Sequence, residues 1–233
     1  MLKVRKSETR GRAEHGWLSS HHTFSFASYR DPHHMGIGPL RVINEDKVQP
    51  GEGFGTHAHR DMEIISYVLG GALEHKDSMG TGSVLHYGDV QRMSAGSGVN
   101  HSEFNHSSSE PVHFLQIWVV PKRNGIEPSY EEKHFDADSK RNQLRLIASP
   151  HGEDGSLRLH QDARLYASIL DGGVRLQQPL AEGRIGYVQV ARGSLSVNGQ
   201  VLSAGDALQV TGEPEIVLAD ARDAEVLVFD LPK

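Results

Sequence analysis

"GEGFGTHAHRDMEIISYVLGG", residues 51–71, sets two histidines one residue apart ahead of an apolar, β-branched run. Residues two apart on a strand share a face. His57 and His59, with Asp61 and Glu63 after them, are therefore expected to look the same way. The stretch "HSEFN" at 101–105 repeats the alternation and offers His101, Glu103 and Asn105. Two such rows facing one another form a cage of nitrogen and oxygen donors. Imidazole and carboxylate together suit iron(II), manganese, nickel, cobalt, copper or zinc in an open site.

Composition narrows the chemistry further. With 233 residues and 37% hydrophobic content, the chain can bury one large core or two small ones. A net charge of -6, with Lys and Arg scattered, provides no basic field for nucleic acid. The absence of cysteine removes disulfides, thiolate nucleophiles, iron–sulfur clusters and Cys-type zinc sites, so a metal has to be held by His and carboxylate. No apolar run approaches the roughly 20 residues of a membrane span, and the opening residues carry charge without an apolar leader core. The expectation is a cytoplasmic protein with no membrane contact. Of the 15 histidines, most need no joint role.

Short apolar runs such as "EIISYVL" and "VHFLQIWVV" alternate with turn-rich stretches such as "DPHHMG" and "HGEDGS", the pattern of an all-β sandwich or barrel. No amphipathic helix longer than about two turns stands out. The polar segment 121–143 reads as a connection, dividing the chain into domains 1–132 and 133–233. An internal repeat supports two copies of one β unit, pairing Gly71 with Gly193 and Gly88-Asp89 with Gly205-Asp206. Sliding one copy under the other puts Pro179 opposite His57, Ala181 opposite His59, Ile185 opposite Glu63, Leu218 opposite His101 and Asp220 opposite Glu103. The second copy is thus expected to keep the fold and lack the site.

Gly51, five residues, His57-x-His59, three residues, Glu63, six residues and Gly70 resemble the first cupin motif in full. Gly88-Asp89 followed by "MSAGSGVNHSEFN" at 93–105 resembles the second, with Ser94 where many cupins carry Pro. That departure, together with "HGWLSSHHTFSFASY" at 15–29 and "DPHHMGIGPLRVINED" at 31–46, is similar to the pirin branch, most strongly over 15–118. The resemblance implies a bicupin of two stacked antiparallel, jelly-roll-like β-barrel domains. It implies one divalent transition metal in the N-terminal domain, iron(II) first, with Ni, Co, Mn, Cu or Zn as alternatives. The pirin pattern assigns the ligands to His57, His59, His101 and Glu103. The general cupin pattern takes Glu63 as the carboxylate, and spacing does not separate the two. Following the closer family leaves Glu63 beside the ligands, where a carboxylate can orient an imidazole.

Within pirins the sequence looks most like bacterial members described as quercetin 2,3-dioxygenases. That implies an oxidoreductase opening the heterocycle of a flavonol with dioxygen and releasing carbon monoxide, with Glu103 as ligand and proton acceptor. The partners are then a small aromatic substrate and O2. The rival reading is a metal-loaded regulatory protein whose oxidation state changes its affinity for a protein partner, as proposed for nuclear pirins. A cavity of a few hundred Å3 above the metal separates the two. Elsewhere, His21, His22, His33 and His34 resemble a second metal cluster but read rather as solvent-facing side chains in a turn-like stretch, and His75 and His86 read as hairpin flanks without function. Phe24 and Phe26 read as core or pocket wall, with core favoured. Met93, Phe114, Gln116 and Trp118 are candidates for the barrel mouth, the last three sharing a strand face.

Overall fold

The computed structural model describes residues 1–233 and is nearly all β-strand, with one four-residue α-helix, Ala137–Lys140. No helix is long and apolar enough to cross a membrane. The chain divides into two compact units, one comprising Gly11–His134 with Leu157–Gln161, the other Met1–Arg10, Phe135–Ser156 and Asp162–Lys233.

The first unit holds two antiparallel sheets. The larger runs Ser129–His134, Asp89–Ser94, Glu63–Gly70, Val112–Val119, Leu40–Val48, Leu18–His22 and Gly11–Glu14 in spatial order. The smaller runs Gly53–His59, Val99–Asn105, Ala72–Asp77 and Gly82–His86. They are separate facing sheets rather than one closed ring. Val68 and Phe114 from the larger meet Leu73 and Leu85 from the smaller in one buried cluster. Burying each such side chain contributes about 1.5–3 kcal/mol, enough to hold the faces together. Glu63–Gly70 is buried almost throughout, so both of its faces are covered. That explains why it reads as a continuous apolar run rather than an alternation.

In the second unit the sheet order is Leu2–Arg5, Ala207–Thr211, Ile185–Val197, Glu215–Leu231, Arg164–Leu170 and Arg145–Ser149. Its interior is aliphatic, with Val188, Val190, Leu208, Val226 and Val228 in one cluster. The N-terminal strand is tied in by Lys6, whose Nζ donates to Asp206 Oδ2 at 2.8 Å. The repeat alignment needs correcting here. Pro179 pairs with Glu215, and Leu176 with Leu218, whereas the alignment of His57 and His101 with Pro179 and Leu218 requires those last two to be partners. The copies share strands but not the residue-by-residue register, because turn lengths between strands differ and each extra residue shifts every later pair.

Candidate metal centre

Val99–Asn105 lies between Gly53–His59 and Ala72–Asp77, and pairing across these three strands assembles the donors. His101 stands opposite His57 on one side and Asp77 on the other, while Glu103 stands opposite His75. The register shifts between His101 and Glu103 along the Gly53–His59 edge. There Gly53 lets the strands close up, since a Cβ would come within 2.4 Å of the Glu103 carbonyl oxygen.

The imidazoles of His57, His59 and His101 converge, with ring centroids 4.5–4.8 Å apart. His57 Nδ1 donates to the Gly55 carbonyl at 2.8 Å, which leaves its Nε2 lone pair facing His101 Nε2 at 3.1 Å. Two nitrogens bound to one ion at about 2.1 Å, roughly at right angles, stand about 3 Å apart. His101 Nδ1 and His75 Nδ1 are buried without any hydrogen-bond partner. Burial, and then the neighbouring imidazoles, hold His101 down to about 2 and His59 down to about 4. Both rings are therefore neutral lone-pair donors at physiological pH. Convergent, unprotonated and partly orphaned nitrogens fit a bound cation.

Donor atoms fall into two overlapping triads sharing His101: His57, His59 and His101, then His75, His101 and Glu103, the atoms of each lying within 4.8 Å of one another. Glu103 is fixed from across the interior. Ser66 Oγ and Gln91 Nε2 donate to its Oε1 at 3.0 Å, and Gln116 Nε2 donates to Oε2 at 2.6 Å. The Gln116 amide can point only one way, because Trp118 Nε1, which can only donate, gives its proton to Gln116 Oε1. Burial nevertheless raises the Glu103 pKa, the desolvation outweighing the opposing pull of His75 and the hydrogen bonds.

Glu63 is elsewhere. Its carboxylate accepts from the His160 backbone N–H at 3.0 Å and faces His160 Nδ1 at 3.3 Å, and it belongs to neither triad. Strand parity explains this. Ser66 reaches Glu103, so Glu63, three positions earlier, projects from the opposite face of the sheet. The sequence argument carried alternation from His57 through to Glu63. The chain breaks it at 60–62, where Asp61 adopts φ 51° and accepts from the Gly125 N–H, and where the chain passes from one sheet to the other. The imidazole that Glu63 orients is His160, not a site histidine.

Two other expectations change. His75, read as a hairpin flank, is fully buried, stacked on Tyr130 at 4.8 Å, with Nε2 at 3.1 Å from Asp77 Oδ2. His22, read as surface, is buried with Nδ1 at 2.8 Å from Asn44 Oδ1. Phe114 and Met93 are core, whereas Gln116 and Trp118 do line a cavity.

That cavity measures about 490 Å3 and reaches His57 and His59 at one wall. Its sides are aromatic. Trp118 meets the His59 ring edge-on at 5.0 Å and Phe26 at 5.4 Å, and Trp17 meets Phe54 at 5.3 Å. Glu103 lies behind the imidazoles and is absent from this lining. The larger sheet contributes a polar row across neighbouring strands, Gln91, Ser66, Gln116, Asn44 and His22, each opposite the next.

Residues 3–119 match the family described as Pirin, and residues 146–231 match the quercetinase C-terminal cupin domain. The quercetin 2,3-dioxygenase of Escherichia coli (strain K12) is 48% identical over 233 residues, covering 100% of this chain and 99% of that protein. A pirin-like protein of Caulobacter vibrioides is 39% identical over 231 residues, covering 99% of both. Among solved structures, YhhW from Escherichia coli matches with a TM-score of 0.96 at 48% identity, covering 100% of this chain and 98% of that one. The bacterial pirin YhhW in complex with nickel(II), from Escherichia coli, matches at 0.95 and 46%, covering 100% and 99%.

Proposed function

We propose, from the premise that this chain belongs to the pirin family of two-domain cupins, that it is a metal-dependent dioxygenase opening the heterocycle of flavonols such as quercetin. The observation that carries this reading is the 490 Å3 aromatic-walled cavity ending at His57 and His59. A planar polyphenol needs such a slot, and the regulatory alternative does not. Sequence identity to a protein named quercetin 2,3-dioxygenase, and a similar structure in complex with nickel(II), support it.

In this reading His57, His59, His101 and Glu103 hold one divalent transition ion, iron(II) first. When bound, that ion supplies Lewis acidity to the flavonol 3-hydroxyl. The chain's own groups do the rest. Trp118, Phe26, Trp17 and Phe54 hold the ring plane by edge and face contacts. Glu103, held by Ser66, Gln91 and Gln116, is the carboxylate that takes up the hydroxyl proton. The apolar walls restrict water around the reacting ring. Both atoms of O2 enter the product as the heterocycle opens, and carbon monoxide leaves.

The test is oxygen uptake and carbon monoxide release by metal-loaded protein supplied with quercetin. Turnover no faster than that of the free ion in buffer overturns the reading. The two glutamates divide as their positions dictate. Glu103→Gln is expected to weaken metal retention and stop ring opening. Glu63→Gln, which touches only His160 and its amide, is expected to leave metal content within the range of wild type, because neither residue belongs to the donor triads. Elemental analysis after dialysis checks both.

A further inference from the structure

We infer that Asp46, with Ser20, His22 and Asn44 around it, forms a second recognition patch in the cavity, selecting ligands that carry a hydroxyl on the ring remote from the metal-facing oxygen. The inference rests on the flavonol reading and adds to it what the far end of the substrate must be.

The patch sits on two paired strands, Leu18–His22 and Leu40–Val48, where Ser20 lies opposite Asp46 and His22 opposite Asn44. Val42, Asn44, Asp46 and Val48 share one face of their strand and are all buried. The two middle positions, where a packed core expects apolar side chains, are polar. All four patch residues line the same cavity as His57 and His59. Asp46 is only 2% exposed, and its hydrogen bond comes from the Ser20 hydroxyl to Oδ1. The Ser20 hydroxyl is the side-chain donor to this carboxylate, and no Lys, Arg or His pairs with it. Burial consequently pushes Asp46 up to about 7, with Glu103 and Glu45 adding repulsion and Ser20 opposing it.

A buried carboxylate with one neutral hydrogen bond and no counter-charge is costly unless something completes its hydrogen bonds. A ligand hydroxyl does that without adding a second buried charge, which distinguishes it from an ammonium. Position fits a long ligand. Strands lie about 4.8 Å apart, so Asn44, one strand from Gln116, is displaced about 5 Å, and His22, two strands away, about 10 Å. Gln116 lines the cavity and marks the end where Glu103 is held. A molecule bridging the two is elongated, with a hydroxyl at each end.

The experiment is anaerobic titration of nickel-loaded full-length protein with quercetin, whose lateral ring carries hydroxyls, and with galangin, whose lateral ring carries none. Wild type is expected to prefer quercetin by about tenfold or more, the order expected for one hydrogen bond to a charged acceptor. In Asp46→Val the preference is expected to collapse to about onefold while galangin affinity and nickel content hold. Asp46→Asn, nearly isosteric and so safe for folding, is expected to lower the preference at least threefold or so. A preference that survives in Asp46→Asn overturns the patch, as does equal binding of the two flavonols by wild type, and either result leaves the dioxygenase reading standing. Failure of wild type to bind either flavonol overturns both.

Discussion

His101→Ala is expected to empty the metal centre. His101 is the member common to both donor triads, it is buried, and it faces His57 Nε2 at 3.1 Å. On the proposed ligand set its loss removes a ligand and not a supporting partner, so retention is expected to fall by more than the about 100-fold upper range for changes to supporting groups. Metal content after dialysis, read by elemental analysis, is expected near zero, with no quercetin-dependent oxygen uptake. Folding is expected to survive. The imidazole contributes an unpartnered Nδ1 to the interior, and the aliphatic and aromatic cluster of Val68, Leu73, Leu85 and Phe114 is untouched. The thermal midpoint of the metal-free variant should therefore match that of metal-free wild type, while the upward shift that added metal gives wild type, by mass action on the folded state, disappears. A variant that retains one ion per chain shows that His57, His59 and a carboxylate suffice.

A flavone identical to quercetin except for the missing 3-hydroxyl is expected to be inert, with kcat/KM lower by about 10⁴-fold or more. A site built to pair a hydroxyl rejects the analogue lacking it by that order. Here the analogue forfeits the acidified proton and its acceptor Glu103 along with the oxygen that the imidazole-lined wall receives. Carbon monoxide and oxygen measurements on the pair check it, with binding measured separately. Comparable turnover of both compounds moves the reacting position away from that oxygen and overturns the role given to Glu103.

Much of this was legible in the sequence because local spacing on a strand is a geometric statement. His57 and His59 share a face in any extended chain, and so do His101 and Glu103. Short apolar runs punctuated by turns specify antiparallel sheets without reference to partners. Phe114, Gln116 and Trp118 lay on one face as their alternation required, and two of them, Gln116 and Trp118, line the cavity. The absence of cysteine and the two His-containing rows were enough to restrict the donor chemistry.

Inference failed where it crossed a break in the strand or needed to know which strands are neighbours. Parity carried from His59 to Glu63 fails at Asp61, whose left-handed backbone resets the faces. Glu63 is then claimed by His160, 97 positions further along the chain. His75 looked like a hairpin flank until the pairing of Ala72–Asp77 with Val99–Asn105 set it opposite Glu103. His22 and Asp46 looked unrelated until their strands were paired at the cavity wall.

The sequence by itself determined the element type, the twofold repeat and the pairs of donors that share a strand face, because these follow from dihedral preference and a two-residue period. Only the tertiary structure decided which glutamate faces the histidines, which histidine backs them and what closes the far end of the cavity. Those outcomes depend on sheet register and strand order, which are set by the simultaneous burial of both sheets' inner faces and by no short stretch of chain.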